Sequence, residues 1–256
     1  MIADLGAPTR TWNGEVDVTG RRILLAVSDG MGGHQAGEIA SALVIQTVMA
    51  SLAAHAAEAP DRALELAVLQ ANEVVRAAAM QQNKQGMGAT LTAILIDGHD
   101  AWIAEVGDSR AYLWRDGQLR QLTRDQSLVQ MLVDIGALTA DQAKTSPRKN
   151  VILQAIGTAP TLTAAIVRLL LRRGDRLLIC CDGLSNEVAE EELTALLAEP
   201  DPVAACERAI DLANAHGGSD NITAIIAHVG GEGIPTAAIG ERITATYRVV
   251  QEPHKR

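Results

Sequence analysis

Phenylalanine is absent from this 256-residue chain, and aromatic residues make up only 2% of it. Its core must therefore be built from Leu, Ile, Val and Ala. There is no basic excess: 22 Lys and Arg stand against 31 Asp and Glu, a net charge of −9. That balance excludes nucleic acid and an anionic membrane as main partners. Cysteine is scarce, with only Cys180, Cys181 and Cys206. The first two are adjacent, so in a strand they face opposite ways, and no disulfide framework follows. No CxxC or Cys/His spacing points to zinc. The thiols read as reduced and buried, which fits a reducing compartment. No unbroken apolar run is long enough to cross a bilayer. Asp4 and Pro8 interrupt the N-terminus, so no signal peptide is expected there. Repeats and low-complexity stretches are missing too. The expectation is a soluble cytoplasmic monomer, and a hydrophobic content of 48% excludes a disordered chain.

What is present centres on residues 24–38. Leu24-Leu25-Ala26-Val27 reads as a buried strand, Asp29 ends it, and Gly30, Gly32 and Gly33 free the backbone to bend. From Gln35 a helical pattern follows, with Ile39, Leu43, Val44, Val48 and Leu52. Taken alone, this is a strand–turn–helix with an aspartate in the turn. The device recurs, however. Asp108 ends the run from Ala101, Asp182 ends the run from Arg176, and Asp220 precedes the run from Ile222. Antiparallel strands alternate in direction, so strand ends and a strand start can meet at one sheet edge. Four carboxylates meeting without cations would repel strongly. An oxygen-only cluster suits Mg²⁺ or Mn²⁺ rather than zinc.

Two long helices are expected over roughly 35–57 and from Pro60, side by side on one sheet face. Hairpins are expected at Asp97-Gly98 and Asp116-Gly117 between successive strands. Ser127 to Val133 reads as a short helix stopped by Gly136. Thr139-Ala140-Asp141-Gln142 reads as a capping box. The segment 123–160 reads as a flap beside the carboxylates, its other reading being a helical connection packed on the surface. A strand over 176–181, helices over 186–198 and 202–216, and a strand over 221–229 complete a first unit, 1–229. Residues 230–256 read as a Gly-rich linker and a short tail that forms either an edge strand or a tether.

Two hard cations a few Å apart polarise a phosphoryl oxygen and ionise a bridging water for in-line attack. Asp29, Asp182 and Asp220 are ligand candidates, and Asp108 is a fourth. Arg10 could clamp a phosphate bidentately. His34 could give a proton to the leaving oxygen; its other reading is a solvated turn residue. Arg110 reads as half of a structural ion pair.

The motifs Arg10-x-x-Asn13, Asp29-Gly-Met-Gly-Gly-His34, Gly107-Asp-Ser-Arg110, Asp182-Gly-Leu184 and Asp220-Asn221 occur in an order that resembles the bacterial type 2C, metal-dependent serine/threonine protein phosphatases. The resemblance runs from about Arg10 to Val229. It implies an α+β fold, a four-layer α-β-β-α sandwich of two antiparallel sheets flanked by helix pairs. It implies hydrolysis of phosphoserine and phosphothreonine on proteins with Mn²⁺ or Mg²⁺, in signalling opposite a serine/threonine kinase. Asp29 would bridge two ions, the Gly30 carbonyl would bind the second, and Asp182 and Asp220 would complete the first. A third ion would sit between Asp108 and Asp182, and Arg10 would bind phosphate.

One departure stands out. Where the family usually has Asn-Glu-Asp, this chain reads Asn13-Gly14-Glu15. The acidic pair supports the second ion, and here Glu15 alone is left to replace it. An alternative reading follows: a weakened homologue that binds phosphoproteins as a regulatory module. A two-metal phosphoesterase acting on small molecules is a third.

Overall fold

The computed structural model describes residues 2–4, 14–16, 18, 20–238 and 240–251. In chain order the elements are β1 (Ile2–Asp4), β2 (Arg22–Val27), β3 (Gly30–Met31), α1 (His34–Ala54), α2 (Pro60–Gln81), β4 (Gly88–Ala89), β5 (Leu91–Asp97), β6 (Asp100–Val106), β7 (Arg110–Arg115) and β8 (Gln118–Gln121). Then come α3 (Leu128–Asp134), α4 (Ala140–Lys144), β9 (Thr163–Leu170), β10 (Arg176–Cys180), α5 (Asp182–Ser185), α6 (Glu190–Leu197), α7 (Pro202–Ala215), β11 (Ala224–His228) and β12 (Ala245–Gln251).

Period-two alternation along the strands sorts the apolar residues into two faces. In β2, Leu24 and Ala26 point one way, with Ala36, Val44, Val48, Leu64, Val68 and Val75 of the long helices. Ile23, Leu25 and Val27 point the other way, with Leu113, Leu177 and Ile179 of the second sheet. On the outer face of that sheet, Tyr112, Leu178 and Cys180 meet Leu184, Leu193, Leu196 and Ala209. Three apolar layers between four structural layers make the α-β-β-α sandwich. One sheet runs β1-β2-β5-β6-β9-β12, the other β11-β10-β7-β8, and β3 pairs with β4 alone. Every pairing between these strands is antiparallel.

The expected hairpins form. Asp97 pairs with Asp100, and Gly98 takes a φ of 63°. Arg115 pairs with Gln118 across Asp116 and Gly117, both at positive φ. The Thr139 capping box is present, with Gln142 N donating to Thr139 Oγ1 and Thr139 N to Gln142 Oε1. Cys180 and Cys181 face opposite layers, as their adjacency requires.

Three features differ from the sequence expectation. β9 has no counterpart in it, although this strand lies inside the larger sheet between β6 and β12. Residues 163–170 are rich in Ala and Leu, and several positions on both faces are buried, so no alternation marks the segment as a strand. The helix expected over 186–198 begins only at Glu190 as α6, and a separate short helix, α5, takes residues 182–185 ahead of the expected start. Finally, α1 has the length and composition of a bilayer span, although its apolar run is interrupted. Its apolarity is accounted for by the stripe Ala36, Ala40, Val44, Val48 and Leu52, which is buried on the sheet. Residues 245–251 form an edge strand beside β9.

Candidate active site

Register brings the motif residues together. Val27 pairs with Thr92, Leu91 with Val106, Cys180 with Arg110, and Cys180 with Ala224. The ends of β2, β6 and β10 and the starts of β5, β7 and β11 therefore share one side of the sandwich. Asp29, Asp108, Asp182 and Asp220 all sit within a few residues of those ends.

Each loop is pinned by its own hydrogen bonds. Asp29 N donates to Thr90 Oγ1 at 2.9 Å, and Thr90 N donates back to Asp29 O at 2.8 Å. Ser28 Oγ donates to Thr90 O at 2.6 Å. The Thr90 hydroxyl also lies 2.8 Å from Ser109 Oγ, and Thr92 Oγ1 donates to Ser109 O at 2.7 Å. Buried Thr90 thus ties the Asp29 loop to the Asp108 loop. Gly30 packs backbone to backbone on Gly37 of α1; a Cβ there would overlap the Gly37 carbonyl. Gly183 is equally close to Asn221, which seats the Asp220 loop on the start of α5. Cys181 Sγ donates to Asn221 O and accepts from Thr223 N, both at 3.1 Å.

Asp29, Cys181 and Asp182 place a ligand atom each within 4.8 Å of one another. Asp182 Oδ2 accepts from Asn186 Nδ2 at 3.2 Å, whereas the buried Oδ1 has no hydrogen-bond partner. The Asp29 carboxyl is pushed up to about 6 by burial first, then by the charges of Asp182 and Asp220. Asp182 is raised by burial and then by Asp220. Asp108 is pushed up to about 7 by burial, then by Asp182 and Asp125. Asp220 itself is exposed, and its Oδ1 accepts from Asn221 N at 2.7 Å. The nearby guanidinium of Arg110 is engaged elsewhere. It forks onto Asp125 at 2.9 and 2.6 Å and reaches the Tyr112 hydroxyl at 3.2 Å, the structural pair expected of it. Clustered carboxyls, raised by burial and by one another, with an orphaned inward oxygen, fit a divalent oxygen-seeking cation.

Arg10 lies outside the described residues. Only the backbone of His34 is described, as the first residue of α1. Glu15 is described and exposed. The segment 127–153 is rooted beside the cluster: Gly107 N donates to Gln126 Oε1 at 3.0 Å, and Leu153 N to Gln126 O at 2.7 Å. Asn186, which touches Asp182, also reaches Asn150 in that segment at 3.5 Å.

One residue escaped the sequence reading. Glu105 is 1% exposed and lies between the sheets. Its Oε2 accepts from Arg124 N at 2.9 Å, and Oε1 is buried without a partner. Burial pushes its carboxyl up to about 9, with the Arg124 amide acting against the shift. A signal existed: a lone charge at the inward position that continues Ala101 and Ile103.

Residues 13–215 match the family model described as protein phosphatase 2C. A serine/threonine protein phosphatase, PstP, of Mycobacterium tuberculosis is 41% identical over 225 residues, covering 85% of this chain. The chain spans 42% of that relative's length. A serine/threonine phosphatase, stp, of Listeria innocua is 36% identical over 211 residues, covering 79% of this chain and 83% of that protein. Among solved structures, the catalytic domain of PstP in complex with two manganese ions superposes with a TM-score of 0.73 at 37% identity. The match covers 90% of this chain and 97% of that one.

Proposed function

Since this chain belongs to the protein phosphatase 2C family, we infer that it hydrolyses phosphoserine and phosphothreonine on proteins with Mn²⁺ or Mg²⁺. The observation that carries the reading is the meeting of Asp29 and Asp182, with the buried Asp182 Oδ1 left unpartnered. In this reading Asp29, Asp182 and Asp220 are ligands of two core ions, joined by the Gly30 carbonyl, and Asp108 with Asp182 takes a third. Glu15 supports the second ion, Arg10 receives the substrate phosphate, and His34 gives a proton to the leaving serine or threonine oxygen. When bound, the ions supply Lewis acidity and lower the pKa of water. The chain's own part is to fix where those ions sit. The Thr90–Ser109 bridge and the Gly30–Gly37 and Gly183–Asn221 packing hold the carboxylates at one place before substrate arrives. In the cell it would act in the cytoplasm as a monomer and oppose a serine/threonine kinase.

The test is Mn²⁺-dependent release of phosphate from a phosphothreonine peptide, run against p-nitrophenyl phosphate. Turnover of the peptide supports the protein phosphatase. Turnover of the small ester alone would make the chain a small-molecule phosphoesterase. Binding of the peptide without turnover would make it a phosphoprotein-binding module, the reading that the Gly14-Glu15 departure favours.

A further inference from the structure

Four arginines converge on the segment that leads into β12. Arg173 N donates to Pro235 O at 2.8 Å, and Arg173 Nη2 donates to Glu232 O at 2.9 Å. Arg120 Nη1 donates to Ile243 O. Arg172 forks onto Glu241 Oε1, from Nε at 2.8 Å and from Nη2 at 2.7 Å. Arg115 Nη1 lies 3.8 Å from the same oxygen. Glu241 Oε2 is bonded too, accepting from Ala238 N at 3.0 Å. On the body of the sandwich, buried Asp175 has both oxygens committed. Its Oδ1 accepts from Arg115 Nε, and its Oδ2 accepts from Arg115 Nη2 and Arg172 N. Glu241 is therefore the second anion of a four-charge set. Without it, the Arg172 guanidinium would keep only the Leu171 carbonyl, at 3.2 Å.

Past Glu241, Ile243 and Ala245 pack into the layer between the sheets. β12 then runs along β9, from Ala245 opposite Leu169 to Gln251 opposite Thr163. Without β12, β9 would present an open edge of mostly apolar residues. Thr163 is also where β9 meets the roots of the segment 127–153. Its N–H donates to Gln154 Oε1 at 2.9 Å, and its carbonyl accepts from Gln126 Nε2 at 3.4 Å. We propose that residues 230–251 are a latched strap: Glu241, seated in the Arg115–Arg172 cleft, locks β12 onto β9, and β12 in turn holds the roots of the segment 127–153. The cleft and the β9 edge together fit an extended segment that carries a carboxylate, and the chain supplies that segment itself.

The experiment is amide hydrogen exchange on the full chain. In Glu241→Gln, the β9-bonded amides of 245–251 should exchange at least ~10-fold faster than in the parent, the scale of one lost charge-assisted pair. The amides of Leu128 and Leu153, bonded to Val151 O and Gln126 O, should quicken with them. Those of β2 and β10 should keep the parent's rates. Arg172→Gln should act alike, and the double variant should add little to either single one. Glu199→Gln, which breaks the separate pair with Arg208, should leave β12 unchanged. Unaltered exchange of 245–251 in Glu241→Gln, or additive effects of the two replacements, would overturn the latch. Acceleration confined to 245–251 would overturn its link to the segment 127–153. Equal acceleration in β2 and β10 would mean a general loss of stability and overturn both. The readout needs neither metal nor turnover, so a failure here stands apart from a failure to hydrolyse phosphopeptide.

Discussion

Glu105→Gln should stabilise the protein at neutral and alkaline pH, although it touches no proposed ligand. The side chain is 1% exposed, and its carboxyl is pushed from 4.5 up to about 9 by burial. Between those two values the folded chain holds a proton that the unfolded chain has released. The stability associated with that proton is complete below 4.5 and is lost as pH rises toward 9. The loss is about 1.4 kcal/mol per pH unit. From pH 5 to pH 8 it amounts to roughly 4 kcal/mol, an upper figure because unfolded chains are not fully solvated. Glutamine keeps an acceptor for the Arg124 amide and never ionises. Its own unpartnered NH₂ replaces an unpartnered carboxyl oxygen, so the two proteins should be close in stability near pH 5. The assay is urea denaturation of both in metal-free buffer at several pH values. Asp29 titrates in both proteins and cancels in the difference; Asp108, whose charge adds to the rise at Glu105, cancels in part. A gain that grows with pH is the expected result. A difference that stays flat from pH 5 to pH 8 would refute the reasoning.

Two further outcomes follow from the same geometry. Gly30→Ala places a Cβ against the Gly37 backbone, so β3 and α1 must part. Overpacking of this kind costs about 2–3 kcal/mol, read as a fall of several degrees in Tm, and an unchanged melt would contradict the close approach. Asp29 and Asp108 are raised to about 6 and about 7, so cation binding must displace protons below neutrality. Calorimetric Mn²⁺ affinity should rise with pH through that range and level off above it; an affinity flat from pH 5.5 to 8 would show that these carboxyls are already ionised.

Much of this site could be read from the chain because isolated aspartates beside apolar runs are conspicuous. Asp29, Asp108, Asp182 and Asp220 do come to one side of the sandwich, as antiparallel direction requires. The turns were legible for a similar reason: Asp116-Gly117 has few other uses. β9 was not, because its sequence shows no polar–apolar alternation and its Ala and Leu residues equally suit a helix. The short α5 goes unread in the sequence, and its Gly183 lies against Asn221, a contact between residues 38 positions apart that periodicity cannot express. Thr90 is an ordinary strand threonine in sequence. Its role as a bridge appears only when β5 places it between the Asp29 and Asp108 loops. In sequence Cys181 reads as a reduced, buried thiol, since nothing local says that its sulfur lies near two carboxylates.

The most direct test of the account is a paired measurement on the parent and Asp182→Asn, because Asp182 is a proposed ligand of both the first core ion and the third ion. Mn²⁺ stoichiometry is read by calorimetry and phosphothreonine-peptide turnover at saturating Mn²⁺ in the same preparation. The account predicts two tightly held ions and Mn²⁺-dependent turnover in the parent. In the folded variant it predicts at least one ion lost and turnover down by about 10³-fold or more, the scale of several kcal/mol of lost metal assistance. A folded Asp182→Asn protein that holds the parent's complement of Mn²⁺ and turns over the peptide at the parent's rate would contradict it.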